Sequence, residues 1–267
     1  MRLVRRIYIL IKRLLEDLFP NELMRLSKCP RYTPGSFSFK NGRLKFPDSA
    51  SFFSMYTELF KKEIYKFETV EKDLYIIDCG SNIGLSILYF HSLFPHAKII
   101  GFEPDQDIFA FLKYNISQFP ELKNIELINK GVWSKIETLY FNNEGADAGR
   151  IAYNDGAVRK AHTMITTVPL SPYINRKVNF LKIDIEGAEV EVLNEIEHKL
   201  DLVEKIFIEF HSFEDQPQHL DVILAILKKN GFRYYIDSPS RYRNRPFIEK
   251  TMFLSFDLLL NIYAYKN

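Results

Sequence analysis

Three observations predict an α/β fold in which a mostly parallel sheet carries helices on both faces. From Leu74 onward, short apolar runs rich in Ile and Val alternate with stretches of helical periodicity, the pattern of repeated strand–helix–strand units. Two of these runs end in an acid followed by a glycine turn: Asp78-Cys79-Gly80-Ser81-Asn82-Ile83-Gly84 after Leu74–Ile77, and Lys182-Ile183-Asp184-Ile185-Glu186-Gly187-Ala188-Glu189 after Val178–Leu181. A third, Lys98–Glu103, also closes on an acid. In an open α/β sheet the ligand crevice lies beyond the carboxyl ends of the strands, where such acids project.

The elements follow in order. Residues 1–35 read as a helical leader closed by Pro30, Pro34 and Gly35. Residues 36–70 form a hairpin and a helical cap, and residues 71–267 the main domain. In the hairpin, Phe37 and Phe39 alternate with polar residues, Asn41-Gly42 suits a two-residue type I′ turn, and Leu44 and Phe46 lead back. That register sets Phe39 opposite Leu44 and Phe37 opposite Phe46. Residues 51–66 are predicted as a helix, with Phe52, Met55, Leu59, Phe60 and Ile64 at helical spacing. Strand Leu74–Asp78 precedes helix Gly84–Phe94, which Pro95 ends. Strand Lys98–Glu103 precedes helix Asp105–Ser117, and one strand is expected over Ile125–Val132. Strands Ile136–Phe141 and Thr163–Val168 flank a Gly- and Asp-containing loop. Strand Val178–Asp184 precedes helix Ala188–Ile196, and strand Glu204–Phe210 precedes helix Pro217–Asn230 with Gly231 as its C-cap. Phe232–Asp237 and Phe256–Tyr265 supply the last two strands.

Composition narrows the function classes. The chain has 267 residues, 46% hydrophobic and 26% charged, enough for one large core. A net charge of +2 gives no general electrostatic case for nucleic acid, and none is expected as a partner. Cys29 and Cys79 are the two cysteines, which disfavours a disulfide framework or a cysteine zinc site and favours a cytoplasmic setting. In the leader, Arg2, Arg5, Arg6, Lys12 and Arg13 fall largely off a stripe made by Leu3, Ile7, Leu10, Ile11, Leu14 and Leu18. Its longest apolar run, Ile7–Ile11, is far short of the roughly 20 residues that span a bilayer. Residues 2–18 therefore read either as a helix lying on a membrane surface or as one that packs on the domain or on a second copy of the chain.

The first acid-and-glycine turn is not the G-x-G-x-x-G of dinucleotide sites, because an acid precedes its first glycine and Asn82 replaces another. Asn tolerates the left-handed backbone that such a turn needs. An acid here would repel phosphates but accept hydrogen bonds from an amino group or ribose. That points to a cofactor with no phosphate at this position, such as S-adenosyl-L-methionine. Glu103, at the end of the next strand, is placed to bind ribose hydroxyls.

Ile76–Gly84, Gly101-Phe102-Glu103-Pro104-Asp105, Asn129-Lys130-Gly131, Phe180–Glu189 and Ile208-Glu209-Phe210-His211 together resemble the FkbM-type methyltransferases. The resemblance covers roughly residues 70–240. It implies a class I, Rossmann-like methyltransferase fold that uses S-adenosyl-L-methionine and usually methylates a hydroxyl oxygen. The cofactor-binding residues it implies are Asp78, Gly80, Ser81, Asn82, Gly84, Glu103 and Asn129. The chain departs from the family at Leu170-Ser171, where an Asp often follows the Leu.

A hydroxyl acceptor has to be held against the methyl donor and to lose a proton. Asp184, Glu186 and His211 are the candidate catalytic residues: Asp184 facing the methyl end of the cofactor, Glu186 positioning the acceptor, and His211, just beyond its strand, as the base. Lys182 reads as a buried partner for Asp184, and Glu189 and Glu191 as solvated helix residues. Phe52, Phe53 and Tyr56 read as packing residues or as a cap on the substrate. No metal is expected, although Asp184 and Glu186 with a distant Asn or His are the groups a Mg²⁺-assisted variant would use. The expected acceptor is a hydroxyl on a glycan or another secondary metabolite. The alternatives are a nicotinamide-dependent oxidoreductase and a non-catalytic binding protein.

Overall fold

The computed structural model describes residues 22–142, 150–151, 162–214, 216–239, 245, 247–248 and 256–266. The amphipathic stretch of residues 2–18 lies outside them, as does most of the loop after residue 142. Among the described residues no helix is long and apolar enough to cross a membrane.

The central sheet has seven strands: β3 (Tyr75–Cys79), β4 (Lys98–Phe102), β5 (Ile125–Ile128), β10 (Phe180–Ile183), β11 (Lys205–Phe213), β12 (Arg233–Asp237) and β13 (Phe256–Tyr265). Their spatial order is β12-β13-β11-β10-β3-β4-β5. Pairing is parallel from β11 to β5, and β13 is antiparallel to both neighbours. The chain winds outward from β3 in one direction and from β10 in the other. The topological switch point, where a crevice opens in such sheets, therefore falls between β3 and β10.

Alternation along the buried strands divides the core. Ile77, Cys79, Leu181 and Ile183 face α5 (Glu189–Ile196) and α6 (Leu220–Lys229) through Val192, Leu193, Ile223 and Leu227. Ile76, Phe180 and Phe207 face the other way, onto α3 (Leu85–Leu93), α4 (Gln106–Ser117) and the N-terminal hairpin. A helix on each face lets both sides of every central strand be apolar. Asp105 caps α4 by accepting from the Asp107 and Ile108 amides, and Gly231 takes the positive φ (+78°) expected after α6.

Several sequence expectations are corrected. The hairpin strands β1 (Gly35–Phe39) and β2 (Gly42–Phe46) pair Phe37 with Leu44 and Phe39 with Gly42, so the turn is Lys40-Asn41 and the register differs from that expected. Tertiary packing explains the shift. Gly42 lies so close to Phe119 that a Cβ would come within 2.8 Å of its ring, and Asn115 bonds both backbone groups of Lys45. The four apolar hairpin residues stay on one face because the displacement preserves the two-residue period.

A short helix, α1 (Glu22–Leu26), precedes the hairpin, and the expected 51–66 helix is α2 (Ser49–Tyr56), capped by Asp48 and extended by a π-helical turn at Thr57–Lys61. The single strand Ile125–Val132 is two. β6 (Gly131–Trp133) leaves the main sheet for a smaller one with β7 (Thr138–Asn142), β8 (Arg150–Ile151) and β9 (His162–Pro169). β11 runs to Phe213, three residues past the expected end, so His211 lies inside a strand.

Candidate active site

The turn after β3 is built around one glycine. Gly80 has φ +84°, and a Cβ there would lie 1.9 Å from the Asp184 carbonyl oxygen. The β3 and β10 turns can touch only because that side chain is absent. Asn82 takes the left-handed conformation (φ +46°), with its Oδ1 accepting from the Ile83 amide.

Beneath this turn lies a buried charge cluster. Asp78 is fully buried; its Oδ2 accepts from Ser86 Oγ at 2.5 Å, and Oδ1 is 3.4 Å from Lys182 Nζ. Lys182 sits directly across the parallel pair from Asp78. Its ammonium also lies 3.0 Å from Asp184 Oδ2 and donates to the Gly80 carbonyl at 2.8 Å. The two carboxylates hold Lys182 charged against the cost of burial, and the Lys182 ammonium in turn keeps Asp184 below the usual carboxylate range. The expected Lys182–Asp184 partnership is present, and Asp78 completes it.

Glu103 is the carboxylate at the end of β4. Its Oε2 accepts from the Asn82 amide at 3.0 Å and Oε1 from the Asp105 amide at 2.9 Å. Each oxygen retains a lone pair for a further donor, such as a ribose diol. Burial pushes its pKa up to about 8 in spite of those two amides. Asn129 braces this corner, its Nδ2 donating to the Glu103 and Pro104 carbonyls.

These elements enclose a cavity of about 400 Å³. Its wall takes in Gly80, Ser81, Asn82, Glu103, Lys130 and Val132 from the β3, β4 and β6 side, and Asp184, Glu186, Glu209, His211, Glu58 and Asn261 around the β10 turn and β11. Among the seven expected cofactor residues, Gly80, Ser81, Asn82 and Glu103 reach the cavity wall. Asp78, Gly84 and Asn129 work from behind it: Asp78 on Lys182, Asn129 on the Glu103 corner, and Gly84, with φ +91°, against Leu112.

The three expected catalytic residues converge: Asp184, Glu186 and His211 each turn one ligand-type atom to within 4.8 Å of the others, a spacing that could also hold a cation. His211 Nε2 lies 3.5 Å from Glu186 Oε2, and its Nδ1 lies 2.9 Å from Glu189 Oε1. Glu189 is therefore not the solvated residue expected. It is 1% exposed, and the same oxygen accepts from the Gly187 amide. Glu186, Glu189 and Glu209 together raise the His211 pKa well above the ordinary imidazole value, outweighing its burial. Glu209, which hydrogen-bonds Asp184, is pushed well above the carboxylate range by burial and by that neighbour.

Glu58, Glu209 and Asn261 are site residues that pattern reading missed. The available signal was polarity inside apolar strands: Glu209 follows Ile206-Phe207-Ile208, and Asn261 follows Leu258-Leu259-Leu260. Phe52 stacks on Phe46 with ring centroids 4.1 Å apart, and Phe52, Phe53 and Tyr56 do not line the cavity; Ser54, Met55 and Glu58 of the same segment do. At the family departure, Ser171 binds the Glu195 carboxylate through its hydroxyl and amide.

An open sheet in the order β5-β4-β3-β10-β11-β13-β12, with an acid and glycine turn at its switch point and a carboxylate on the next strand, defines a class I methyltransferase. The solved FkbM methyltransferase of Methylobacillus flagellatus KT shares this fold, with a TM-score of 0.51 and 16% identity over 78% of this chain; the match spans 48% of that longer chain. Residues 78–234 match the Methyltransferase FkbM domain, and the chain belongs to that family. Methyltransferase sdnD of Sordaria araneosa is 27% identical over 213 residues, 67% of this chain and 81% of that protein. Methyltransferase 1 of Beauveria bassiana is 22% identical over 209 residues, 69% and 82% of the two chains. The cofactor is S-adenosyl-L-methionine. The cradle suits it: close backbone approach at Gly80, and at Glu103 a carboxylate whose two oxygens can each accept a further hydrogen bond.

Proposed function

We propose that this methyltransferase acts on a hydroxyl oxygen of a glycan or another secondary metabolite, with His211 as the base. The observation that carries the reading is the fixed orientation of His211. Glu189 engages Nδ1, which leaves Nε2 on the cavity side beside Glu186 and within reach of Asp184. A histidine held in one tautomer by a buried carboxylate is equipped to take a proton at its other nitrogen.

When bound, S-adenosyl-L-methionine supplies an electrophilic methyl group on a sulfonium. Gly80, Asn82 and Glu103 would hold its nucleoside and amino-acid parts, and Lys130 and Val132 would flank it. The chain's own contribution to the reaction is then positional and acid–base. Glu186, at φ +55° in the β10 turn, directs a carboxylate at the acceptor, and Asp184, kept ionised by Lys182, adds negative charge on the same side. His211 takes the hydroxyl proton at Nε2, and the imidazolium so formed is stabilised by Glu186 and Glu189. Family membership sets aside the nicotinamide alternative.

Mass spectrometry of extracts with and without the protein, supplied with S-adenosyl-L-methionine, tests the reading. A product heavier by one methyl group and carrying a methyl ether is expected. Methylation confined to carbon or nitrogen would overturn the hydroxyl assignment, and no methylated product from any extract would favour the non-catalytic alternative.

A further inference from the structure

The acceptor end of the cavity has a floor that the methyl-transfer chemistry does not use. Glu209 on β11 and Asn261 on β13 are direct cross-strand partners, and both line the cavity. Directly opposed residues in an antiparallel pair hold their side chains side by side on one face. Asn261 is only 5% exposed; its side chain hydrogen-bonds Tyr263, but its Oδ1 is buried with no partner. Buried polar atoms are almost always paired, so an orphaned acceptor on a cavity wall marks the place of a missing donor.

Glu58 lines the same end from the π-helical turn and lies within electrostatic range of both Asp184 and Glu209. Tyr65 lies there too and feels Asp184, Glu209 and Glu58. Among the described residues, Lys182 is engaged with Asp184, Asp78 and the Gly80 carbonyl, and Arg31, which also lines the cavity, with Asp48. Lys62 reaches Glu58 only at 4.0 Å and from the exposed side.

We infer that the acceptor is an amino alcohol whose ammonium rests on Glu209, Asn261 Oδ1 and Glu58 while its hydroxyl is offered to His211. The inference rests on the hydroxyl reading above and adds the class of substrate. An ammonium carries three N–H donors and no acceptor, which matches two carboxylates and one amide oxygen. It would also favour the charged form of the two half-buried carboxyls, both of which sit above the ordinary range because desolvation opposes their charge. A neutral polyol would satisfy Asn261 but would do nothing to favour the ionised form of the two carboxyls.

Titration of the full chain, loaded with S-adenosylhomocysteine, against ethanolammonium and against ethylene glycol of matched size provides the test. S-adenosylhomocysteine has no sulfonium, so the floor receives no cation from the cofactor's sulfur. Saturable binding of ethanolammonium is expected, about tenfold or more tighter than the diol, and Glu209→Gln and Asn261→Ala should each weaken it by about tenfold. Glu58→Gln, on a partly exposed turn, serves as the variant least able to disturb folding and should weaken it in the same direction. Equal binding of the diol, no saturable binding of the amine, or unchanged affinity in all three variants would overturn the proposal. So would a pattern in which the Glu variants weaken S-adenosyl-L-methionine but not S-adenosylhomocysteine, since the carboxylates would then serve the sulfonium. If ethanolammonium binds as expected but turnover methylates nitrogen, the ammonium site stands and the hydroxyl reading fails.

Discussion

Glu189 Oε1 sits 2.9 Å from His211 Nδ1 and also accepts the Gly187 amide, so one buried oxygen ties the β10 turn to the imidazole on β11. The carboxylate of the first helical turn thus fixes the nitrogen that faces the cavity. This contact makes the histidine more than a strand residue that happens to be near a site.

His211→Ala should lower turnover by about 10²–10⁴-fold, the range for losing a general base, with S-adenosylhomocysteine affinity nearly unchanged. The pH profile carries the more specific expectation. Because the carboxylates around it raise the His211 pKa, the basic form appears only above the ordinary imidazole range, and kcat should rise with pH to an inflection above about 6.5. Glu189→Gln removes one of the raising charges, so its inflection should move to lower pH. An unmoved inflection in Glu189→Gln would show that another group controls the profile.

Folding stability has a matching pH dependence. The folded-state pKa of His211 is raised above its unfolded value, so its contribution is complete below about 6.5 and is lost as pH rises through the folded value. Melting temperatures measured across that window should fall less in His211→Ala than in the parent chain.

Glu103→Ala should weaken S-adenosylhomocysteine by about 1.5–3 kcal/mol, the range for hydrogen bonds to a charged group. Since burial raises Glu103 to about 8 in the free protein and ribose donors favour the carboxylate, binding should release a proton. Affinity is therefore expected to increase with pH up to about 8, and calorimetry should find that slope flattened in Glu103→Gln.

Gly80→Ala should abolish cofactor binding and destabilise the fold. A left-handed conformation alone costs an L-residue roughly 1–2 kcal/mol. The methyl group would in addition collide with the Asp184 carbonyl, a backbone atom that cannot move without shifting β10. Native-like melting together with intact binding in this variant would contradict the tight β3–β10 contact.

Lys182→Met leaves Asp78 buried beside no cation and should cost about 3–5 kcal/mol in chemical denaturation. Chelation probes the same end differently. The Asp184, Glu186 and His211 atoms are close enough to share a cation, but Lys182 already occupies Asp184, so EDTA should leave turnover intact. Loss in EDTA that Mg²⁺ restores would move hydroxyl activation onto a metal.

The amino-acid sequence by itself determined the fold class, the strand and helix order of the main sheet from Leu74 onward, and the two turns that bear the site, but not the split of Ile125–Val132 into β5 and β6. Those features are local: apolar periodicity, glycines needed for positive φ, and acids at strand ends. Gly80, Glu103, Asp184 and His211 were legible for that reason. Tertiary structure alone decided which polar residues share a cavity. Glu189 looks solvated on a helix wheel, yet it is buried because α5 packs its first turn against β11. Asn261 meets Glu209 because β13 inserts antiparallel between β11 and β12. The hairpin register follows from Phe119 and Asn115, 77 residues beyond Gly42 and 70 beyond Lys45 respectively. Sequence spacing carries no record of such contacts, because their free energy comes from surfaces brought together only when the sheet closes.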